Sequence, residues 1–361
     1  MEVRLLQWNA GGLKTKYREL KQLVWTQNYD VICVQETFLK TSDVAKWDIH
    51  GYTAVRRDRP SPALGGGLVT YVRNCLTYLA IDGPKDIECQ GVSISTMTGQ
   101  MTVYNVYLPP GGELAQGELS AFDHLLDGDK VIVVGDLNAK STLWRSPVND
   151  ARGRQLEKVI SDRDFVALNA GTPTRLHRTG SVSHIDVSLA SSSLALKCRW
   201  SVVNSSMGSD HNPILILVNE RPTRDFAVVP RWKVKAANWK AFANECSVRV
   251  QIETVFDDDV DRFNENVTEA IVGAALASVP QTGDRRGKRI KPLPFWNDEI
   301  RAAVYARNRA RNKMSRSQDI DDCIEYRRLR SVAQRVIRDS AIRHWREYCS
   351  TLNSNSRLST V

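Results

Sequence analysis

The period of the apolar positions changes along the chain, and the changes delimit its elements. Val131-Ile132-Val133-Val134 is an unbroken β-branched run closed by Gly135, which reads as a strand buried on both faces. Val3 to Trp8, Val31 to Val34, Leu68 to Val72 and Ile214 to Val218 read as further strands. Gly91–Thr96 and Met101–Leu108 pair as strands around Met97-Thr98-Gly99-Gln100. Ser183 to Leu189 alternates, with Ile185, Val187 and Leu189 on one face and His184, Asp186 and Ser188 on the other. Leu13, Tyr17, Leu20 and Val24 recur at helical spacing, so residues 14–28 form an amphipathic helix, with further helices over 119–127 and around 152–163. Arg56 to Pro62 reads as loop. Gly65-Gly66-Gly67 precedes a strand, whereas phosphate-cradling loops precede helix N-termini, so it reads as a hairpin or bulge element.

Polar residues recur at the mouths of these strands. Asn9 closes the first, Glu36 follows Gln35 after the second, Asp136 and Asn138 follow Gly135, and His211 precedes the last. Each alone reads first as a turn or rim residue, since Gly, Asp and Asn are ordinary turn formers. Their shared address is the stronger signal, because strand ends of a layered α/β fold cluster in space and can converge on one cleft. Asp186 on a buried strand needs a partner, because an unpaired carboxylate is costly to bury. Tyr107, where a strand meets Leu108-Pro109-Pro110, either packs or aims its hydroxyl at a phosphate.

Charge adds an asymmetry. Residues 1–220 hold 23 Lys/Arg and 23 Asp/Glu, whereas residues 221–361 hold 27 and 18, so the whole net charge of +9 lies in the last third. That segment reads as mainly helical over 238–250, 258–277 and 297–349, with a basic linker at 283–291. It suits either a polyanion partner or a solvated helix. A division into 1–220 and a helical region 221–361 follows. The seven scattered cysteines form no CxxC pair, which argues against a disulfide framework and a cysteine zinc site. With no signal peptide and no apolar stretch of membrane-spanning length, the expected setting is a reducing compartment, cytosol or nucleus, without a membrane partner.

In order along the chain, Asn9, Gln35-Glu36, Tyr107, Gly135-Asp136-Leu137-Asn138, Ile185-Asp186 and Ser209-Asp210-His211 resemble the motifs of the endonuclease/exonuclease/phosphatase superfamily. The resemblance spans residues 1–218. It implies a four-layer α/β sandwich, two packed mixed sheets flanked by helices, followed here by the helical segment. Asn138 through Leu156, with Trp144 and Arg152-Gly153-Arg154-Gln155-Leu156, together with Gly171-Thr172-Pro173-Thr174-Arg175, is similar to the endonuclease of arthropod non-LTR (LINE-type, jockey/I-like) retrotransposons. Arg231-Trp232 to Phe242, and Pro294 to Ile300 with the Arg-rich run after it, resemble the segment joining that endonuclease to the reverse transcriptase. The chain stops at Val361 with no YxDD-type polymerase sequence, and is read as a truncated element copy or a fragment.

The resemblance implies a DNA endonuclease that nicks a target strand and leaves a 3′-hydroxyl to prime reverse transcription. Glu36 would hold the metal, with Asn9 and Asp210 nearby. Hard oxygen ligands suit Mg²⁺, with Mn²⁺ as the alternative. Asp136 would deprotonate the attacking water, helped by Asn138. His211, oriented by Asp186, would contact the phosphate, with Tyr107 and Thr174 donating to it. Lys140, Arg145 and Arg175 are candidate DNA contacts. Trp144 is either a stacking or wedging residue or a lid packed on the core. Double-stranded DNA is the expected partner, with element RNA a further candidate, and the nucleus is the expected location. The rival readings are an apurinic-type repair endonuclease and a catalytically silent nucleic-acid-binding module.

Overall fold

Unbroken apolar runs turn out to be strands with a packed layer on each side. In the run that opens at Val131, Ile132 and Val134 face a core shared by two sheets, while Val131 and Val133 face a core shared with helices. The computed structural model describes residues 2–43, 47–59, 65–224, 234–249, 260–280 and 292–352. Its first elements are β1 (Val3–Asn9), α1 (Tyr17–Gln27), β2 (Val31–Gln35), β3 (Tyr52–Arg57), β4 (Leu68–Arg73), β5 (Tyr78–Asp82), β6 (Glu88–Thr96) and β7 (Gly99–Tyr107). There follow α2 (Gln116–His124), β8 (Val131–Asp136), α3 (Ala151–Asp162), β9 (Phe165–Ala167), β10 (Arg175–Leu176), β11 (Val182–Ser183) and β12 (Asp186–Ser191). The remainder is α4 (Ser192–Ala195), β13 (Cys198–Val202), β14 (Ile214–Val218), α5 (Trp239–Arg249), α6 (Val260–Ser278), α7 (Asp298–Ser317) and α8 (Ile320–Ser350).

The strands form two six-stranded sheets, β13-β14-β1-β2-β4-β3 and β5-β6-β7-β8-β12-β9, and β10-β11 is a separate hairpin. Both sheets are mixed, since β1 runs parallel to β2 and β7 parallel to β8. Period two in each strand assigns its residues to layers. Val3, Leu5, Val31 and Cys33 meet Val92, Val103, Ile132 and Val134 between the sheets. Leu6, Trp8, Ile32 and Val34 pack under Leu20 and Val24 of α1, and Val106, Val133, Val187 and Leu189 pack under Phe122 of α2 and Leu156 and Ile160 of α3. This is the four-layer α/β sandwich expected. Buried polar links cross between the sheets, among them Gln35 Nε2 donating to Asn105 Oδ1 at 2.6 Å and Ser188 Oγ to Gln7 Oε1 at 3.0 Å. Satisfied polar pairs in such a place pin one sheet against the other.

One local expectation is revised. Arg56 and Arg57 belong to β3, not to a loop, and their guanidinium groups are occupied: Arg56 pairs with Asp58 at 2.8 Å and Arg57 donates to the Pro84 carbonyl at 3.0 Å. Residues 60–64 lie outside the described residues. The glycine triplet, all at positive φ, lies along the chain after Glu36, where Thr37 N donates to Gly67 O and Phe38 N to Gly66 O, each at 3.0 Å. The chain divides into two compact units. One compact unit is Asp225–Arg289, in which α5 and α6 pack on each other and Asn238 N donates to Ser278 O at 3.0 Å. The other joins Met1–Arg224 to Ile290–Val361. The hairpin of α7 and α8 thus packs with the sheets: Arg307, fully buried, donates to Glu19 of α1 at 2.7 Å, and Leu176, Met314, Cys323 and Tyr326 share an apolar cluster. Arg231-Trp232 and residues 283–291 lie outside the described residues, apart from what the sequence says of them. All seven cysteines are unpaired, and among the described residues no helix is long and apolar enough to cross a membrane.

Candidate active site

The strand ends converge. Asn9 ends β1, Glu36 follows β2, Asp136 ends β8, and Asp186 opens β12 directly opposite Asp136 in the antiparallel pair. Tyr107 ends β7 opposite Asp136 on its other side. The polar contacts are dense. Asn9 Nδ2 donates to Glu36 Oε1 at 3.0 Å and to Asp136 Oδ2 at 2.7 Å, while Asn9 Oδ1 accepts from Gly11 N at 2.9 Å. His211 Nδ1 lies 2.9 Å from both oxygens of Asp186, and its Nε2 lies 3.8 Å from Asp136 Oδ2. Ser209 fixes the approach of His211, its hydroxyl donating to Asn9 O at 2.9 Å and accepting from His211 N at 3.2 Å.

Backbone geometry is unusual at two of these positions. Glu36 has φ 48° and Asn138 φ 45°, left-handed conformations that Asn tolerates and Glu rarely adopts. Such strain persists only where surrounding bonds over-determine it. For Glu36 those bonds are Gly12 N to Glu36 O at 2.8 Å and the two glycine-strip bonds to Thr37 and Phe38. Asn138 acts on Asp136 through its main chain: Asn138 N donates to Asp136 Oδ1 at 3.1 Å, and its side-chain amide donates to Leu108 O at 3.0 Å.

Burial and charge set the protonation states. Burial raises the Asp136 carboxyl well above the usual range, against the pull of the His211 charge. Burial opposes a charged His211 ring, but Asp186 and Asp136 outweigh it and raise its pKa. Burial also works to raise Asp210, and the charges of His211 and Arg175 outweigh it, so Asp210 stays below the carboxylate norm. Burial and the neighbouring Glu36 carboxylate both raise the Tyr107 hydroxyl, which keeps its proton and can donate.

Metal-ligating chemistry is present at two places. Ligand atoms of Asp136, Asp186 and His211 lie within 4.8 Å of one another. Their oxygens are, however, already engaged by Asn9, Asn138 and His211. Glu36 and Asp210 instead stand on the walls of an open cleft of about 520 Å³. Each has one oxygen engaged, Glu36 by Asn9 and Asp210 by Arg175, and each is a hard oxygen donor at the open cleft, of the kind that suits a divalent cation. Asn9 is turned the other way, since an amide between two carboxylates must present its nitrogen, so it orients Glu36 rather than ligating beside it.

The remaining expected residues are dispersed. Trp144 is fully buried, donates from Nε1 to Ala139 O at 3.3 Å and packs with Leu156 and Val187, so it is core and not a wedge for DNA. Thr174 is likewise buried, its hydroxyl accepting from Asp186 N at 3.1 Å, so it supports the start of β12 and presents nothing to a phosphate. Arg175 reaches the cleft but is paired with Asp210 at 2.9 Å. Lys140 lines the adjoining groove with Arg178, and Arg145 is exposed on the loop beside Gly171. His184 is buried, with Nε2 3.1 Å from Gly171 O. Sequence reasoning missed Lys16, a buried lysine whose Nζ donates to Gly11 O at 2.7 Å and Gly12 O at 3.2 Å. Burial, then the nearby Arg330, lowers its pKa to about 8.

The chain resembles known proteins in sequence and in fold. Residues 101–215 match the family model described as "Endonuclease-reverse transcriptase". The chain is 25% identical over 350 residues to a probable RNA-directed DNA polymerase from transposon BS of Drosophila melanogaster, covering 93% of this chain and 37% of that protein. It is 30% identical over 169 residues to the RNA-directed DNA polymerase of the mobile element jockey of Drosophila melanogaster, covering 46% of this chain and 18% of that protein. The chain thus spans about a third of the length of the curated relative it matches along most of its course. Among solved structures, the endonuclease domain of TRAS1, a telomere-specific non-LTR retrotransposon, superposes with a TM-score of 0.53 at 23% identity, over 62% of this chain and 100% of that one.

Proposed function

We infer the activity from one premise: the chain carries an endonuclease domain of the endonuclease/exonuclease/phosphatase superfamily, of the kind found in non-LTR retrotransposons. On that premise the cleft hydrolyses a phosphodiester of double-stranded DNA with Mg²⁺, or Mn²⁺ in its place. One strand is nicked, leaving a 3′-hydroxyl that primes reverse transcription and a 5′-phosphate. The observation that carries the reading is the Asn9 bridge, which holds a candidate metal ligand, Glu36, and a candidate base, Asp136, at 3.0 and 2.7 Å from one nitrogen.

The bound cation would supply charge to the phosphate oxygens, held by Glu36 with Asp210 facing the same cleft. The chain's own residues do the rest. Asp136, raised in pKa by burial, takes the proton of the attacking water as its oxygen bonds to phosphorus and the bond to the 3′-oxygen breaks, the leaving 3′-oxygen taking a proton from solvent. His211, charged and fixed through Nδ1 by Asp186, presents Nε2 to the phosphate. Tyr107 is placed to donate its hydroxyl proton from beside Glu36. Alignment and charge are the main contributions to phosphoryl transfer, so fixed placement matters more than reactivity.

Nicking of supercoiled plasmid tests this. Wild-type protein with Mg²⁺ should give open circles that a DNA polymerase extends from the nick, and Asp136→Ala should give none while unfolding like wild type. Nicking that survives chelation, or an Asp136→Ala protein as fast as wild type, refutes the assignment.

A further inference from the structure

The helical hairpin beyond the sheets reaches the catalytic cleft. Its anchor is the buried Arg307–Glu19 pair at 2.7 Å, reinforced by Arg311, which donates to the Asp210 carbonyl at 3.2 Å. The apolar contact of Met314, Cys323 and Tyr326 with Leu176 sets α8 against the β10-β11 hairpin. As a result Tyr326, Arg327 and Arg330 line the same cleft as Glu36, Asp210 and His211.

Charge in that cleft is not balanced. Lys16, Arg175, Arg178, Arg327 and Arg330 line it against Glu36 and Asp210. Arg175 is neutralised by Asp210. Arg330 is half-buried and, among the described residues, makes no ion pair or hydrogen bond, although acids lie on its own helix. Those acids are committed elsewhere, Asp322 to Lys313 and Glu325 to Arg328, each at 2.7 Å. Lys16 uses two of its three donors on the Gly11 and Gly12 carbonyls. One ammonium proton and a whole guanidinium fork therefore line the same cleft, near enough for the Arg330 charge to act on Lys16, with no hydrogen-bond acceptor among the described residues. Two like charges held together repel unless an anion lies between them. A guanidinium fork suits a phosphate, which it binds through parallel hydrogen bonds.

We propose that Arg330 of α8 and Lys16 of α1 form a seat for a DNA phosphate flanking the scissile one, so that the segment after the nuclease sheets completes the DNA-binding cleft. The proposal rests on the DNA-endonuclease reading for its ligand. It gives the last third of the chain a defined task at the site: it positions substrate, and it contributes nothing to the proton transfers.

The test uses the full chain in chelator, binding a labelled short duplex over a range of KCl concentrations. Arg330→Ala should weaken binding several-fold and reduce the slope of log affinity against log salt by about one, the loss of one phosphate contact. Arg330→Lys should recover most of the slope. Arg338→Ala, on the same helix and paired with Asp339, should leave it unchanged. An unaltered slope in Arg330→Ala overturns the seat, as does an equal change in Arg338→Ala. Plasmid nicking in Mg²⁺ by the same preparations separates the two readings. Wild-type protein that binds with the expected slope but never nicks refutes the nuclease assignment and leaves the seat standing. Normal nicking with no slope change refutes the seat alone.

Discussion

Asn9 and Asp136 lie on different sheets, yet the Asn9 amide donates to the Asp136 carboxylate at 2.7 Å and so couples the two halves of the sandwich at the reacting centre. That bond favours the ionised carboxylate. Asn9→Ala should reduce nicking by about 10–100-fold, the usual effect of losing a partner that orients a metal ligand. Without the donor Asp136 is harder to ionise, so the acid limb of the rate should move to higher pH. A rate profile that drops uniformly, with its acid limb unmoved, would assign Asn9 to Glu36 alone.

The wild-type profile itself should be bell-shaped. A base must be ionised, and burial raises Asp136 to about 7, so nicking should rise as pH increases through that value. A charged imidazole must keep its proton; burial opposes this, but Asp186 and Asp136 raise His211 to about 9, so nicking should fall above that value. Because the groups interact, the two limbs belong to the coupled set rather than to single residues. Initial rates across the range at saturating metal check the shape, and a rate that climbs without a maximum would remove the charged histidine from the mechanism.

Glu36 is the side chain assigned to the cation. Glu36→Gln keeps the shape and an acceptor oxygen but removes the charge. It should raise the Mg²⁺ concentration for half-maximal nicking by at least about tenfold, as loss of a charged ligand entails. Chelation should stop the wild-type reaction and added Mg²⁺ restore it. A titration midpoint shared by both proteins would place the cation elsewhere, with the Asp136, Asp186 and His211 group as the alternative.

Trp144 should behave as core. Its complete burial predicts that Trp144→Ala loses about 3–5 kcal/mol of stability, read by denaturant unfolding. Duplex affinity of the folded fraction should stay at the wild-type value. A specific loss of affinity with unchanged stability would return the residue to the DNA surface.

Arg307 is fully buried on Glu19, so Arg307→Met strands a carboxylate in the interface. Removing one partner of a buried pair typically destabilises by about 3–5 kcal/mol. The expected sign is early proteolysis within α7 and α8, with the sheets persisting. Glu19→Gln added to Arg307→Met should restore most of the resistance.

Much of the sandwich can be read from local patterns, because double-sided burial leaves unbroken runs such as Val131 to Val134. The convergence of Asp136, Asp186 and His211 follows from their places at strand ends. What local pattern cannot convey is which wall of a loop faces solvent. Trp144 and Thr174 adjoin the site in sequence but turn inward, one into the helix-covered core and the other onto the backbone of Asp186. Contacts between distant segments are equally silent. Arg307 and Arg330 have the sequence context of ordinary exposed helical charges, and only the bond of Arg307 to Glu19 and the cleft that Arg330 shares with Lys16 give them meaning. Lys16 itself is hidden for a related reason, since a lysine at the start of a helix rarely buries.

Tyr107, Asp136 and Asp186 form one row across three adjacent strands, each directly opposite the next. Spacing in such a row is inherited from strand pairing, and slippage by one residue in β12 would turn Asp186 to the far side of the sheet and leave His211 without its partner. Loops at the rim carry no such obligation. On the proposed activity, lengthening or exchanging the chain around Lys140 and Arg178, which line the adjoining groove, should alter DNA preference while the row keeps its geometry. If the proposed nuclease reading holds, retargeting is a problem of loop grafting, open to selection or design without retuning the chemistry.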